Sequence, residues 1–249
     1  MERIPIIMHP KAFAAFGADL VTNDVVALIE LVKNAYDAFA YDVLIEFAEN
    51  DNGDTTLTIS DNGLGMTKDV IVNAWAVIAT NNKVRTPYVT RDGKTRAVSG
   101  NKGMGRFSAA RLGNKLCLIT KTKKEGCYKI NLDWNVFNSA SSISECNFIL
   151  EKVSDDTIES ESGTIMTISE MNHMWGSDDF SDLQEELSRI INPFGKNERF
   201  AITLKCNGED SCINIQVPEF VNYPKYLFNA SSNASCVVSF FETATPGTP

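Results

Sequence analysis

Histidine is nearly missing from this 249-residue chain: His9 and His173 are the only two. His9 precedes Pro10, and His173 lies in a Met-Asn-His-Met run, so neither fits a phospho-acceptor on a dimerisation helix. With so few histidines, and no Cys-x-x-Cys pair among the six cysteines, a zinc site is not expected. The cysteines are scattered, and the N-terminal Met1-Glu2-Arg3-Ile4-Pro5 lacks the extended apolar region of a secretory signal. Both features predict reduced thiols and a cytoplasmic location. No run approaches the ~20 apolar residues that cross a bilayer, so no membrane partner is expected. A Walker-type phosphate loop is also missing, as are internal repeats, which excludes the commonest glycine-loop ATPases at the motif level.

Charge is plentiful but unevenly placed. The net charge is −9, yet residues 83–129 hold thirteen Lys or Arg against two acids, a local +11 that leaves −20 elsewhere. Such a segment can attract an anionic ligand, contact nucleic acid through residues such as Arg91, Lys94 and Arg96, or simply form solvated loop and strand faces. Hydrophobic content of 43% is ample for a core.

The most informative stretch is Glu30-Leu31-Val32-Lys33-Asn34-Ala35-Tyr36-Asp37-Ala38, set in a run rich in Val25, Val26, Leu28, Ile29, Leu31 and Val32. The spacing predicts a packed helix from a cap at Thr22, Asn23 or Asp24 to about Phe39. Glu30, Asn34 and Asp37 then project from one face at i, i+4 and i+7. Two carboxylates and an amide on a half-buried helix are costly unless something satisfies them. A hydrated divalent cation with a phosphorylated ligand would do so.

Beyond this helix, Asp42–Glu49 and Thr55–Ser60 read as a hairpin around Asn50-Asp51-Asn52-Gly53-Asp54, followed by a helix over 67–76 capped by Thr67. Residues 80–104 lack periodicity and read as a long functional loop. A helix over 106–112, strands over 115–121, 126–133, 147–153 and 164–169, a helix over 178–191 and a closing hairpin over 200–206 and 213–217 complete the pattern. Residues 1–217 are thus expected to form one domain. Residues 218–249, with four prolines and many small polar residues, read as a linker or the start of a following domain.

Two further motifs follow the helix in order: Asp61-Asn62-Gly63-Leu64-Gly65-Met66 past a strand, and Gly100-Asn101-Lys102-Gly103-Met104-Gly105 opening another helix. The ordered triplet resembles the GHKL superfamily of ATP-binding domains, which includes gyrase B, Hsp90, MutL-type repair proteins, MORC ATPases and sensor histidine kinases. The resemblance covers roughly residues 17–170 and is nearest to Hsp90-like and MORC-like bacterial members. It implies an α+β fold, a two-layer α/β sandwich of the Bergerat type. A mixed, mostly antiparallel sheet would be covered by helices on one face, with an ATP lid over about 77–105.

The resemblance also implies roles. Glu30 would be the general base for the attacking water, and Asn34 the Mg²⁺ ligand, supported by Asp37, with Ala38 keeping the helix slim. Asp61 would accept from the exocyclic amine of adenine, which guanine lacks at that position. Gly63 and Gly65 would permit close backbone approach, Met66 would pack on the base, and Thr164 would assist adenine binding. Gly100, Gly103 and Gly105, with Met104 between them, would cradle phosphate, and Lys102 and Lys83 would reach the terminal phosphates. Lys83 follows Ala79-Thr80-Asn81-Asn82, where family members carry Gly-Ser or Ser-Ser, so solvent exposure is its equal alternative. ATP and Mg²⁺ are the implied cofactors. The implied partners are a second copy of the chain and a downstream domain that donates a Lys or Arg. A non-hydrolysing dimerisation switch and an ATP-gated DNA clamp are the alternatives.

Overall fold

The computed structural model describes residue 10 and residues 21–49, 52–75, 88–98, 105–191, 199–206, 212–216, 226–231 and 237–242. Helix α1 (Asp24–Asp37) starts where the Asn23 side chain accepts the Val26 N–H at 2.8 Å. It ends unusually. Phe39 takes the left-handed conformation (φ +58°) that glycine normally fills, and the Ala40 N–H reaches back to the Ala35 carbonyl in a Schellman closure. Strands β1 (Asp42–Glu49) and β2 (Thr55–Asp61) form the expected antiparallel hairpin. A short helix α2 (Lys68–Val70), capped by Thr67, runs on into a π-helical turn over Ile71–Trp75.

Within the stretch expected to be irregular, β3 (Tyr88–Arg91) and β4 (Lys94–Ala97) pair as a hairpin. Its tip, Asp92-Gly93, has positive φ at both residues (51° and 75°), the signature of a type I′ turn. Helix α3 (Gly105–Leu112) leads directly into β5 (Gly113–Thr122), followed by β6 (Gly126–Asp133). The small helix α4 (Asn135–Ser139), which the sequence pattern did not suggest, precedes β7 (Ile149–Val153) and β8 (Gly163–Met171). Helix α5 (Ser177–Ile190), β9 (Ala201–Lys205) and β10 (Ile213–Asn214) follow. Within 218–249, β11 (Tyr226–Ser231) and β12 (Val237–Glu242) form a separate two-stranded ribbon where a linker was one expectation.

The main sheet has eight strands in the order β10-β9-β1-β2-β8-β5-β6-β7. All neighbours are antiparallel except β1 and β9, so the sheet is mixed and mostly antiparallel, as the resemblance implied. Register explains the core. Phe47, Leu57, Ile168, Leu116 and Leu132 form one apolar row across five strands, and Leu204, Ile45, Ile59, Met166, Leu118 and Ile130 form the next. Both rows lie on the face that carries α1, α3 and α5, whose Leu28, Val32, Ala109, Leu112, Leu183 and Leu187 are buried against it. Each of the buried Leu and Val side chains stabilises the fold by roughly 1.5–3 kcal/mol. The next row along, Ile202, Val43, Asp61, Thr164, Thr120 and Tyr128, is polar at its centre.

Candidate functional site

That polar row is where the site begins. Asp61, Thr164 and Thr120 sit side by side on β2, β8 and β5, facing the helices. Thr120 is fully buried; its hydroxyl lies 3.2 Å from that of Thr164, donates to the Gly163 carbonyl at 3.3 Å and accepts the Met66 N–H at 2.9 Å. The Asp61 carboxylate accepts the Gly63 N–H at 2.8 Å and the Thr164 N–H. Burial pushes its pKa from 3.8 up to about 6; the two N–H groups and the Arg91 charge limit the rise. A carboxylate kept desolvated and backed by hydroxyls costs free energy in the free protein. It is therefore poised to accept from a donor.

The glycine turn after Asp61 is held from three sides. Leu64 N–H donates to the Ala38 carbonyl at 2.8 Å, tying the turn to the end of α1. The Ser162 hydroxyl donates to the Gly63 carbonyl at 2.7 Å. Gly65 has φ +68°, and a Cβ there would lie 2.0 Å from the Lys121 carbonyl oxygen, so only glycine fits. Asn62 points the other way: its Oδ1 accepts the N–H groups of Tyr41 and Asp42, fixing the start of β1. Met66 packs beside Ile71, Leu118, Trp75 and Met166 in a small second apolar cluster.

On α1, Asp37 is buried and Asn34 half-buried, and Ala38 abuts the Asp61 turn; a Cβ on Gly63 would press on the Ala38 carbonyl at 2.8 Å. Glu30 is more open. Its Oε1 accepts from Lys33 Nζ at 2.9 Å, and both side chains are about 40% exposed (42% and 39%). Among the described residues no three His, Cys, Asp or Glu side chains are grouped to cage a metal.

The fold thus joins the first motif, the second motif and Thr164 at one corner. Gly105 opens α3, whereas Lys83, Gly100, Lys102, Gly103 and Met104 lie outside the described residues. Sequence reading missed Thr120 and Ser162. Thr120 carried a signal, since it continues the Leu116-Leu118 alternation of its strand and places a hydroxyl on the apolar face. Ser162 gave none.

Part of the basic segment points inward. Of the three residues suggested for nucleic-acid contact, Arg96 is 2% exposed and Arg91 15%. Arg96 Nη1 donates to the Tyr36 and Ala40 carbonyls at 3.0 and 2.9 Å, and its guanidinium lies over the rings of Tyr36 and Phe39. Arg111 pairs with Asp24 at 2.7 Å, Lys115 with Glu170 at 2.5 Å, and Lys123 with Glu161. Arg91, Arg96 and Arg111 are thus engaged within the fold, whereas the Lys115 and Lys123 pairs lie at the surface. No helix among the described residues is long and apolar enough to cross a membrane.

Residues 22–164, more than half of the chain, match the family model described as histidine kinase-, DNA gyrase B- and HSP90-like ATPase. The matched span opens at the cap of α1 and closes on Thr164, so it takes in the helix stripe, the Asp61 turn and the polar row. The chain therefore belongs to the family of histidine kinase-, DNA gyrase B- and HSP90-like ATPases.

Proposed function

We propose that this chain binds Mg·ATP with its adenine on Asp61 and hydrolyses it slowly, coupling turnover to closure of a lid within 77–105, outside the anchored β3–β4 hairpin, and to pairing of two such domains. The observation that carries this reading is the Asp61 carboxylate, held desolvated at the centre of the polar row by two backbone N–H groups. An exocyclic amine donating to it replaces the water it has lost, and a purine with a carbonyl at that position would repel it. Thr164, whose hydroxyl lies 3.2 Å from that of the buried Thr120, offers a hydroxyl to the same edge of the base. From there the phosphates would run past α1, where Asn34 supplies an amide oxygen to Mg²⁺ and Asp37 supports it through water. When bound, the ion neutralises charge on the phosphate oxygens. Gly100, Gly103 and Gly105 are assigned to the phosphates, with Lys83 and Lys102 as candidate partners of the terminal ones.

Glu30 is the proposed general base. To orient a water it must leave Lys33, and a pair this exposed is worth only about 0–1 kcal/mol, so the cost of release is small. The same pairing favours a second reading, a nucleotide switch without turnover, because Glu30 is engaged in the free protein. A longer protein is the proposed context, with a following domain donating a Lys or Arg to the terminal phosphate. Titration calorimetry with ATP, ADP and GTP, with and without Mg²⁺, tests the site. ATP and ADP should bind, GTP should not, and Asn34→Ala should abolish the Mg²⁺ dependence. Equal binding of GTP would overturn the Asp61 assignment.

A further inference from the structure

The β3–β4 hairpin touches the site from outside, and its contacts fall on both motifs at once. Arg91 Nη1 donates to the Asn62 carbonyl at 2.6 Å and the Phe39 carbonyl at 3.1 Å, with its guanidinium 4.7 Å from the centre of the Tyr41 ring. Asn62 follows Asp61 directly, and Phe39 closes the helix that bears Asn34 and Asp37. One nitrogen therefore spans the two backbone segments whose spacing sets the width of the site. Arg96, two residues from the other end of the hairpin turn, anchors the arm to the same helix end through the Tyr36 and Ala40 carbonyls.

We propose that Arg91 is a positioning residue for nucleotide recognition, bracing the Asp61 turn against α1 and keeping the Asp61 carboxylate in its hydrogen-bond-accepting form. The inference rests on the adenine-reading role proposed for Asp61. The charged groups on the elements packed around that corner include Asp37 on α1, Asp42 on β1, Arg91, Asp92 and the carbonyl-bound Arg96 on the hairpin, and Lys121 on β5. Asp42 is already held by Asn62 Nδ2 and Arg199, Asp92 by the Tyr41 hydroxyl, and Lys121 by the Asp155 and Ile158 carbonyls. Arg91 is the cation that acts on Asp61. It offers carbonyl bridging and charge together, which a lysine with its single ammonium separates in part.

The test uses the full chain in two arms. Carbon-13 NMR titration of the Asp61 carboxyl, without ligand, compares wild type, Arg91→Gln and Arg91→Lys. Gln should move the Asp61 midpoint upward, and Lys should leave it near wild type. Calorimetry with adenosine, which carries no titrating phosphate, should show Arg91→Gln binding about threefold or more weaker at pH 6, with the gap narrowing by pH 8. Lys should recover the pH profile while binding less tightly throughout. An unmoved Asp61 midpoint in Arg91→Gln overturns the proposal, as does a loss of affinity that is the same at pH 6 and pH 8. If Gln does not fold, a midpoint in Arg91→Lys far from wild type overturns it. Failure of the wild type to bind adenosine defeats the adenine reading instead, while the NMR arm still decides whether Arg91 governs Asp61.

Discussion

Asp61 is a residue kept for use at the expense of stability. Its folded pKa of about 6 exceeds the unfolded value near 3.8, so the folded chain holds the proton more tightly. Its contribution is therefore fully present below pH ~4 and is lost as pH rises through about 6. The loss is at most about 3 kcal/mol, and less to the extent that solvent screens the partly open carboxylate. Urea melts of wild type and Asp61→Asn at pH 4 and pH 7 should show the wild type losing ground to the variant by about 1–3 kcal/mol across that interval. Parallel pH dependences would mean that Asp61 is not the desolvated group. At Glu30 the expectation concerns rate. Glu30→Ala should lower ATP turnover by about 10²-fold or more while Mg·ATP affinity stays within about threefold. Undiminished turnover would remove Glu30 as base, and a wild type with no turnover would favour the switch. The sequence marks these two residues, with Asn34 and Asp37, as candidates because each belongs to a short local motif of polar groups beside an apolar run. Thr120 shows in the sequence only as a hydroxyl on the apolar face of its strand; what sets it beside Asp61 is Thr164, 44 positions away and brought adjacent by strand register.

Among the elements, the hairpin over 88–97 has the largest effect for its size. The left-handed Phe39 that ends α1 costs roughly 1–2 kcal/mol relative to glycine. Arg96 offsets this by donating to the carbonyls on either side of it, Tyr36 and Ala40, and by lying over the Phe39 ring at 4.3 Å. Its Nη2 also reaches the Arg199 carbonyl at 3.3 Å, tying the helix end to the entry of β9. Arg96→Met keeps much of the buried bulk and removes these bonds, so it should destabilise the protein by about 3 kcal/mol or more, read as a lowered urea midpoint. A cost under about 1 kcal/mol would show that the arm is a passenger. The hairpin itself was readable: Asp-Gly between two short β-prone runs is a strong turn signal, and the surrounding Thr, Asn and basic residues obscured it. The inward aim of Arg91 and Arg96 was not readable, since alternation along a strand assigns faces but not which side a neighbouring helix covers.

At the scale of the molecule, the sheet is a gradient of rows, apolar beneath α3 and α5 and polar where α1 meets the Asp61 turn. Strand order creates that gradient, and strand order was the least legible feature. Nothing local in Ala201–Lys205 says that it lies parallel beside β1. Yet that pairing closes the core: Ile202 and Leu204 are almost fully buried, and the Ala201 N–H donates to the Tyr41 carbonyl at 2.8 Å. The β11–β12 ribbon, in contrast, pairs only with itself in the sheet topology, and a two-stranded ribbon alone is marginal in water. Two truncations follow with opposite outcomes. A chain ending at residue 217 retains all eight strands and should unfold cooperatively, with adenosine affinity within about threefold of the full chain. A chain ending at residue 198 loses β9 and β10, strips Val43 and Ile45 of their neighbours, and forfeits roughly 3–6 kcal/mol from Ile202 and Leu204 alone. Since whole-domain stability is typically about 5–15 kcal/mol, that fragment should lose its cooperative transition, followed by circular dichroism on heating. If the 217 chain also melted without cooperativity, the ribbon would have to be counted as part of the ATP-binding domain, and the domain edge would move beyond it.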